Sequence, residues 1–296
     1  MFKRFALFIG LNILIMVTVN LLLRVFGIDP SYYSNGSINY YGLAAFCLIW
    51  GMVGSFISLQ LSKFMAKRFM GVEIVDGRGQ YSQLVMKVHT FAKKAGLETM
   101  PEVGIYHSPE LNAFATGPSK NNSLVAVSTG LLERMNEDEV DGVLAHEVAH
   151  IANGDMVTMA LLQGVMNAFV MFAAKIVTIL IDQALRGDDD EGRGLGFIAH
   201  IAVEIGLQIF FGILASIPLM WFSRYREYRA DAGSARIAGK EKMISALEAL
   251  QRNYDSLKGS ETSLKTMQIS SKTSFMELFS SHPPLERRIN ALRASM

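Results

Sequence analysis

Residues 136–154 read NEDEVDGVLAHEVAHIANG, and at the centre of that stretch stands His146-Glu147-Val148-Ala149-His150. Both ends of a helix are written into it. Asn136, with Glu139 three residues on, has the form of a capping box, and Glu137, Asp138 and Glu139 set negative charge at the positive end of the helix dipole. Val140, Val143, Leu144 and Val148 recur at helical spacing, and Gly154 supplies the residue type that stops a helix. On such a helix positions four apart share a face, so the imidazoles of His146 and His150 can hold one metal ion between them. Glu147 follows the first of them directly and leans beside that point, where a carboxylate can take a proton from water. The competing reading is a pair of surface histidines on an amphipathic helix, and the rest of the chain has to decide between the two.

The chain around this helix has the composition of a membrane protein. Half of its 296 residues are hydrophobic (50%), and the mean hydropathy is +0.26. A formal net charge of +1, with no basic cluster interleaved with aromatics, argues against nucleic acid as a partner. The single cysteine, Cys47, excludes an intrachain disulfide. Apolar stretches at about 5–23, 40–61, 156–181 and 197–222 approach or exceed the roughly 20 residues that cross a bilayer. The first is too long for a signal peptide, and no small-residue cleavage site follows it before Asp29, so it reads as a retained anchor. Basic residues cluster at Lys3 and Arg4, at Lys63, Lys67 and Arg68, and at Arg224, Arg226 and Arg229. The loop 24–39 has few of them, and the loop 182–196 is acidic at Asp188, Asp189, Asp190 and Glu191. The excess of positive charge on one side places both termini and the HExxH segment in the cytoplasm.

The expected spans differ in kind. In the second, Gly51 and Ser55, then Ser58 and Ser62, recur every four residues, a pattern that lets helix backbones approach closely in lipid. The third carries Gln163, Asn167 and Lys175, and the fourth aligns His200, Glu204 and Gln208 on one face. These polar faces could pair with each other, line a wetted groove towards the metal, or belong to a hairpin that crosses only in part. Outside the membrane, residues 81–94 read as a helix with Leu84, Val85, Val88 and Phe91 on one face and Gly96 at its end. Short β-prone runs at 103–106, 113–116 and 124–128 lead into the HExxH helix. Residues 241–257 and 285–293 read as amphipathic helices, and 259–274, rich in Ser, Thr, Gly and Lys, as a mobile loop. The domain order expected is a membrane anchor (1–62), a cytosolic half with the HExxH helix (63–155), a membrane hairpin (156–222) and a cytosolic C-terminal half (223–296).

A hydrolytic zinc site takes three protein ligands and leaves one position open, so HExxH needs a partner from elsewhere. Extension to HExxHxxGxxH is excluded, because position 156 is Met156. The best alternative is the segment Ser223-Arg224-Tyr225-Arg226-Glu227-Tyr228-Arg229-Ala230-Asp231, in which Glu227 and Asp231 share a helical face. Glu227 suits a ligand, and Asp231 could hold a liganding imidazole through its other ring N–H. That the two merely balance the neighbouring arginines is the reading left open at this point.

HEVAH, the following Asn153-Gly154-Asp155, the ExxxD spacing of Glu227 and Asp231, and His282-Pro283-Pro284 together resemble the membrane-embedded glutamate-zincins of the HtpX protease family. Asn112-Ala113-Phe114-Ala115-Thr116-Gly117 resembles that family's strand beside the active site. The similarity runs over nearly the whole chain, and no quoted motif departs from the family pattern. It implies an α+β membrane protein, mainly helical, with about four transmembrane helices and a cytosolic zincin-like catalytic domain carrying a small sheet. It implies a heat-inducible zinc endopeptidase of the bacterial cytoplasmic membrane, with one zinc per subunit and damaged or misfolded membrane proteins as substrates. Carried over, His146, His150 and Glu227 bind zinc, Asp231 supports a ligand, and Glu147 is the general base. His282, stiffened by Pro283, is the leading candidate for a donor to the oxyanion. Asn112, Ala113, Phe114 and Ala115 would pair with an extended substrate through an open strand edge. Two rivals remain at this level: a transporter or channel with a metal-sensing helix, against which the absence of repeated halves counts, and a zinc-dependent holdase that does not cut.

Overall fold

The computed structural model describes residues 2–25, 27, 33–34, 37–186, 194–260 and 280–295. The acidic residues 188–191 and, past Ser260, the segment expected as a mobile loop lie outside the described residues. In chain order the elements are α1 (Phe2–Val25), β1 (Tyr33–Ser34), β2 (Ser37–Ile38), α2 (Tyr40–Phe69), β3 (Glu73–Val75), α3 (Ser82–Lys94), β4 (Glu102–Tyr106), β5 (Ala113–Ser119) and β6 (Asn122–Ser128). Then follow α4 (Thr129–Arg134), α5 (Glu137–Asn153), α6 (Asp155–Arg186), α7 (Phe197–Ala238), α8 (Lys240–Ser260) and α9 (Leu285–Ala294). They form two compact units: Met1–Ser58 with Ala160–Leu219, and Leu59–Met159 with Met220–Met296.

In the first unit α2, α6 and α7 are long and apolar enough to cross a membrane, with mean hydropathies of 1.9 to 2.0 over their most apolar windows. The first of the four expected spans falls in α1, whose described side chains, Ile13–Val25, make a shorter apolar helix. Three of the four therefore meet both the length and the hydropathy of a span over residues whose side chains are described. The long helices do not stop where hydrophobicity stops. α7 continues to Ala238, far beyond the apolar stretch, because residues 223–238 hold no proline and a single glycine, Gly233, among good helix formers. Small residues bring α2 against α6: a Cβ on Gly51 would lie 2.5 Å from the Gly164 carbonyl oxygen and 2.8 Å from the Ala168 nitrogen. The polar faces of the third and fourth spans meet, with Lys175 Nζ 2.7 Å from Glu204 Oε1 and Gln208 Nε2 donating to the same oxygen at 3.1 Å. A charge in lipid demands such a partner.

The second unit is α+β. Its sheet has the order β3-β4-β6-β5, with β4 and β6 parallel and the outer pairs antiparallel. Side chains alternate across the sheet as the pleat requires. Val103, Ile105, Val125 and Val127 enter the main core with Leu84, Val88 and Phe91 of α3 and Val143, Leu144 and Val148 of α5. Tyr106, Leu124 and Ala126 pack on the other face with Ala66 and Val72. The helix that carries HExxH is held at both ends. Both hydrogen bonds of the Asn136–Glu139 capping box are formed, and Gly154 ends the helix in the left-handed conformation at φ 72°. Such a cap is worth about 1 kcal/mol. α8 crosses α5 at Gly142, where a Cβ would stand 2.4 Å from the Lys242 carbonyl oxygen and 2.9 Å from the Ala246 Cβ.

That crossing decides between two opposed effects of Gly142→Ala. Helix propensity favours alanine by about 1 kcal/mol, whereas overpacking against an unyielding carbonyl costs about 1–3 kcal/mol. The clash is with backbone, so the variant is expected to melt several degrees lower in a thermal scan of detergent-purified protein.

Candidate metal centre

The centre is built where the last turns of α7 lie on α5, within the second unit. The approach is close because both surfaces are small. A Cβ on Gly233 would lie 2.7 Å from that of Ala149, and Ala149 and Ala230 are buried in the same core. Ser234 Oγ donates to the Gly142 carbonyl at 2.9 Å and sets the register. This contact carries Glu227 onto the histidine face of α5.

Three donor atoms converge there. His146 Nε2 and His150 Nε2 are 3.1 Å apart, His150 Nε2 is 3.4 Å from Glu227 Oε1, and His146 Nε2 is 3.6 Å from Glu227 Oε2. Bonds of about 2.1 Å at tetrahedral angles set neighbouring donors about 3.4 Å apart, the middle of this range. Glu227 is 1% exposed, and neither of its oxygens has a hydrogen bond of good geometry. Burial works against its charge, but His146, His150 and His282 around it hold its carboxyl well below the usual carboxylate range. Two imidazole nitrogens and a carboxylate oxygen grouped this closely fit a zinc ion both in spacing and in donor chemistry.

A second layer of charge holds the ligands. Asp231 Oδ1 lies 3.0 Å from His146 Nδ1, and Asp155 Oδ2 lies 2.6 Å from His150 Nδ1. Asp155 Oδ2 is hydrogen-bonded to His150 Nδ1 and fixes that ring's tautomer and plane, while Asp231 Oδ1 stands against His146 Nδ1 without a hydrogen bond of good geometry. Burial disfavours charge on both rings, but the carboxylates outweigh it. Asp231 and Glu227 raise the pKa of His146, and Asp155 and Glu227 push that of His150 up to about 9. His282 stands at the open side, its side chain 64% exposed and its Nδ1 2.9 Å from Glu227 Oε2. Glu147 is half-buried beside the cluster and adds to the field that raises His150.

The structure thus brings His146, Glu147, His150, Glu227, Asp231 and His282 together. Ala113, Phe114 and Ala115 open β5 and Asn112 directly precedes it; β5 pairs with β6 alone among the described residues and is an edge strand. Phe114 turns onto Tyr106, with ring centroids 5.6 Å apart. Two members of the site carried no assigned role in the sequence reading. Asp155 stands in the Asn-Gly-Asp run that ends α5, but its role depends on the turn at Gly154 bringing a residue of the next helix back onto His150. Arg288 lies in an amphipathic helix whose charged residues give no sign of which one is buried.

The sequence profile described as Peptidase family M48 matches residues 80–296. A protein described as Protease HtpX from Shewanella pealeana is 50% identical over 294 residues, covering 99% of this chain and 99% of that one. The Protease HtpX of Shewanella halifaxensis is 50% identical over 295 residues, covering 99% and 100%. The crystal structure of Ste24p from S. mikatae matches with a TM-score of 0.65 at 19% identity, over 99% of this chain and 64% of that one, a likeness of fold.

Removal of the carboxylate ligand separates the ligand set from its supports. Glu227→Ala is expected to purify without metal after dialysis, read by elemental analysis. Asp155→Asn is expected to keep the metal but to bind it about 10–100-fold more weakly. A full complement of tightly held metal in Glu227→Ala would remove Glu227 from the ligand set.

Proposed function

The chain belongs to peptidase family M48, and from that premise we propose that it is a zinc-dependent endopeptidase of the bacterial cytoplasmic membrane acting on damaged or misfolded membrane proteins. The observation that carries the reading is the convergence of His146, His150 and a buried Glu227 whose oxygens accept no hydrogen bond of good geometry. Zinc held by these three would supply a Lewis acid for the scissile carbonyl and make water acidic enough to attack at neutral pH. Glu147 takes the proton from the attacking water and delivers it to the leaving amine. Asp231 and Asp155 hold the two imidazoles so that each offers its Nε2 inward. His282, at the open side of the cluster, is placed to donate to the oxygen on which charge develops. The free edge of β5 takes an extended chain through backbone hydrogen bonds, which suits broad sequence tolerance.

The setting of the site supports substrates that emerge from lipid. Trp221 and Tyr225 are exposed and stacked, with centroids 6.1 Å apart, and Arg224, Arg226 and Arg229 lie among and after them. Aromatics followed by arginines mark a membrane–water boundary on its cytoplasmic side. Glu227 lies five residues past the end of the apolar stretch, about 7.5 Å along the helix. On this reading residues 63–155 and 223–296 are cytosolic. A transporter or a non-cutting holdase has no use for a base beside the ligands, and the named relatives are proteases.

Glu147→Gln is expected to retain zinc and to lose casein cleavage by about 10²–10⁴-fold or more. Wild-type cleavage should vanish with a chelator and return with added zinc. Near wild-type turnover by purified Glu147→Gln would exclude it as the base.

A further inference from the structure

Among the described residues Arg288 is the only buried lysine or arginine, 6% exposed on α9. A buried guanidinium is kept only where carboxylates repay its lost hydration. Two do so here. Arg288 Nε donates to Asp231 Oδ2 at 2.8 Å and Nη2 to Asp231 Oδ1 at 2.6 Å, while Nη1 stands 3.4 Å from Glu227 Oε2. The fork leaves Asp231 no freedom to rotate, and Asp231 Oδ1 is the atom that faces His146 Nδ1.

We propose that Arg288 is a positioning residue for the metal ligands: it locks Asp231 so that His146 keeps its proton on Nδ1 and presents Nε2, and it holds Glu227 Oε2 at the cluster. The inference rests on His146, His150 and Glu227 being the ligands. It makes α9 a working part of the centre, although no ligand lies on it. Without the guanidinium, Asp231 and Glu227 become two buried anions within reach of each other, and both turn away from the positions the metal needs.

The alternative is that Arg288 merely fastens α9, a task shared with Ile289 and Leu292, which pack on Met243, Ile244 and Leu247. The two roles part in an experiment on the full chain in detergent, comparing wild type, Arg288→Gln, Arg288→Lys and Leu292→Ala. Zinc affinity is read by competition with a chromophoric chelator, ligand geometry by the visible spectrum of the cobalt(II) form, and stability by the melting of metal-free protein. Arg288→Gln should weaken zinc binding about 10–100-fold and alter the cobalt spectrum. Arg288→Lys should recover part of the affinity, since it restores charge but not the fork. Leu292→Ala should lower the melting temperature with zinc affinity and spectrum unchanged. Wild-type zinc binding by Arg288→Gln overturns the proposal, as does an equal loss in Leu292→Ala at equal melting temperature. Should Arg288→Gln not fold, Arg288→Lys, which keeps the charge but not the fork, carries the same test: zinc binding weaker than wild type with an altered cobalt spectrum supports the proposal, and wild-type binding and spectrum overturn it. A wild-type chain that takes up no zinc would instead refute the ligand set itself.

Discussion

The structure around the centre turns on one requirement, that the Glu227 carboxylate be neutralised where water does not reach it. Its oxygens face two imidazole nitrogens at 3.4 and 3.6 Å and lack a hydrogen bond of good geometry. Asp231 and Asp155 add two more buried negative charges behind the histidines. Arg288 offsets one, and the two imidazoles, whose pKa values these carboxylates raise, balance the rest until a divalent cation takes the place of their protons.

Bringing the cluster together is a task for small residues rather than for strong contacts. Gly233 over Ala149 lets α7 come down on α5, and Gly142 under Lys242 lets α8 do the same further along. Larger side chains at these crossings would move a helix by an ångström or more, and ligands within 3.6 Å of each other cannot absorb such a shift.

Much of the fold could be read in advance where a local signal existed. The capping box at Asn136, the stop at Gly154, the apolar face of α3 and the three β-prone runs depend on neighbours in sequence, and the observed elements follow them closely. β3 was not foreseen, because a three-residue strand has no period to detect and pairs with β4 across a helix. The short pair β1 and β2 was passed over as part of a loop, although the residues between the strands are Asn35 and Gly36, the dipeptide most favoured in two-residue hairpins. Within the centre, HExxH and the ExxxD spacing are helical patterns and are visible as such. The partnership of Asp155 with His150 needs a turn of known geometry, and that of Arg288 with Asp231 spans 57 residues.

The sequence alone determined the HExxH helix, its ends, the apolar helices and the chemistry that two histidines and a glutamate can perform, since all of these are set by residues a few positions apart. Only the tertiary structure shows Glu227 buried against the two histidines, with Asp155 and Arg288 beside them. Burial of Glu227 and Arg288, and the edge position of β5, come from the packing of segments distant in the chain. That packing is governed by shape at crossings such as Gly233 on Ala149, which no periodicity in the sequence records.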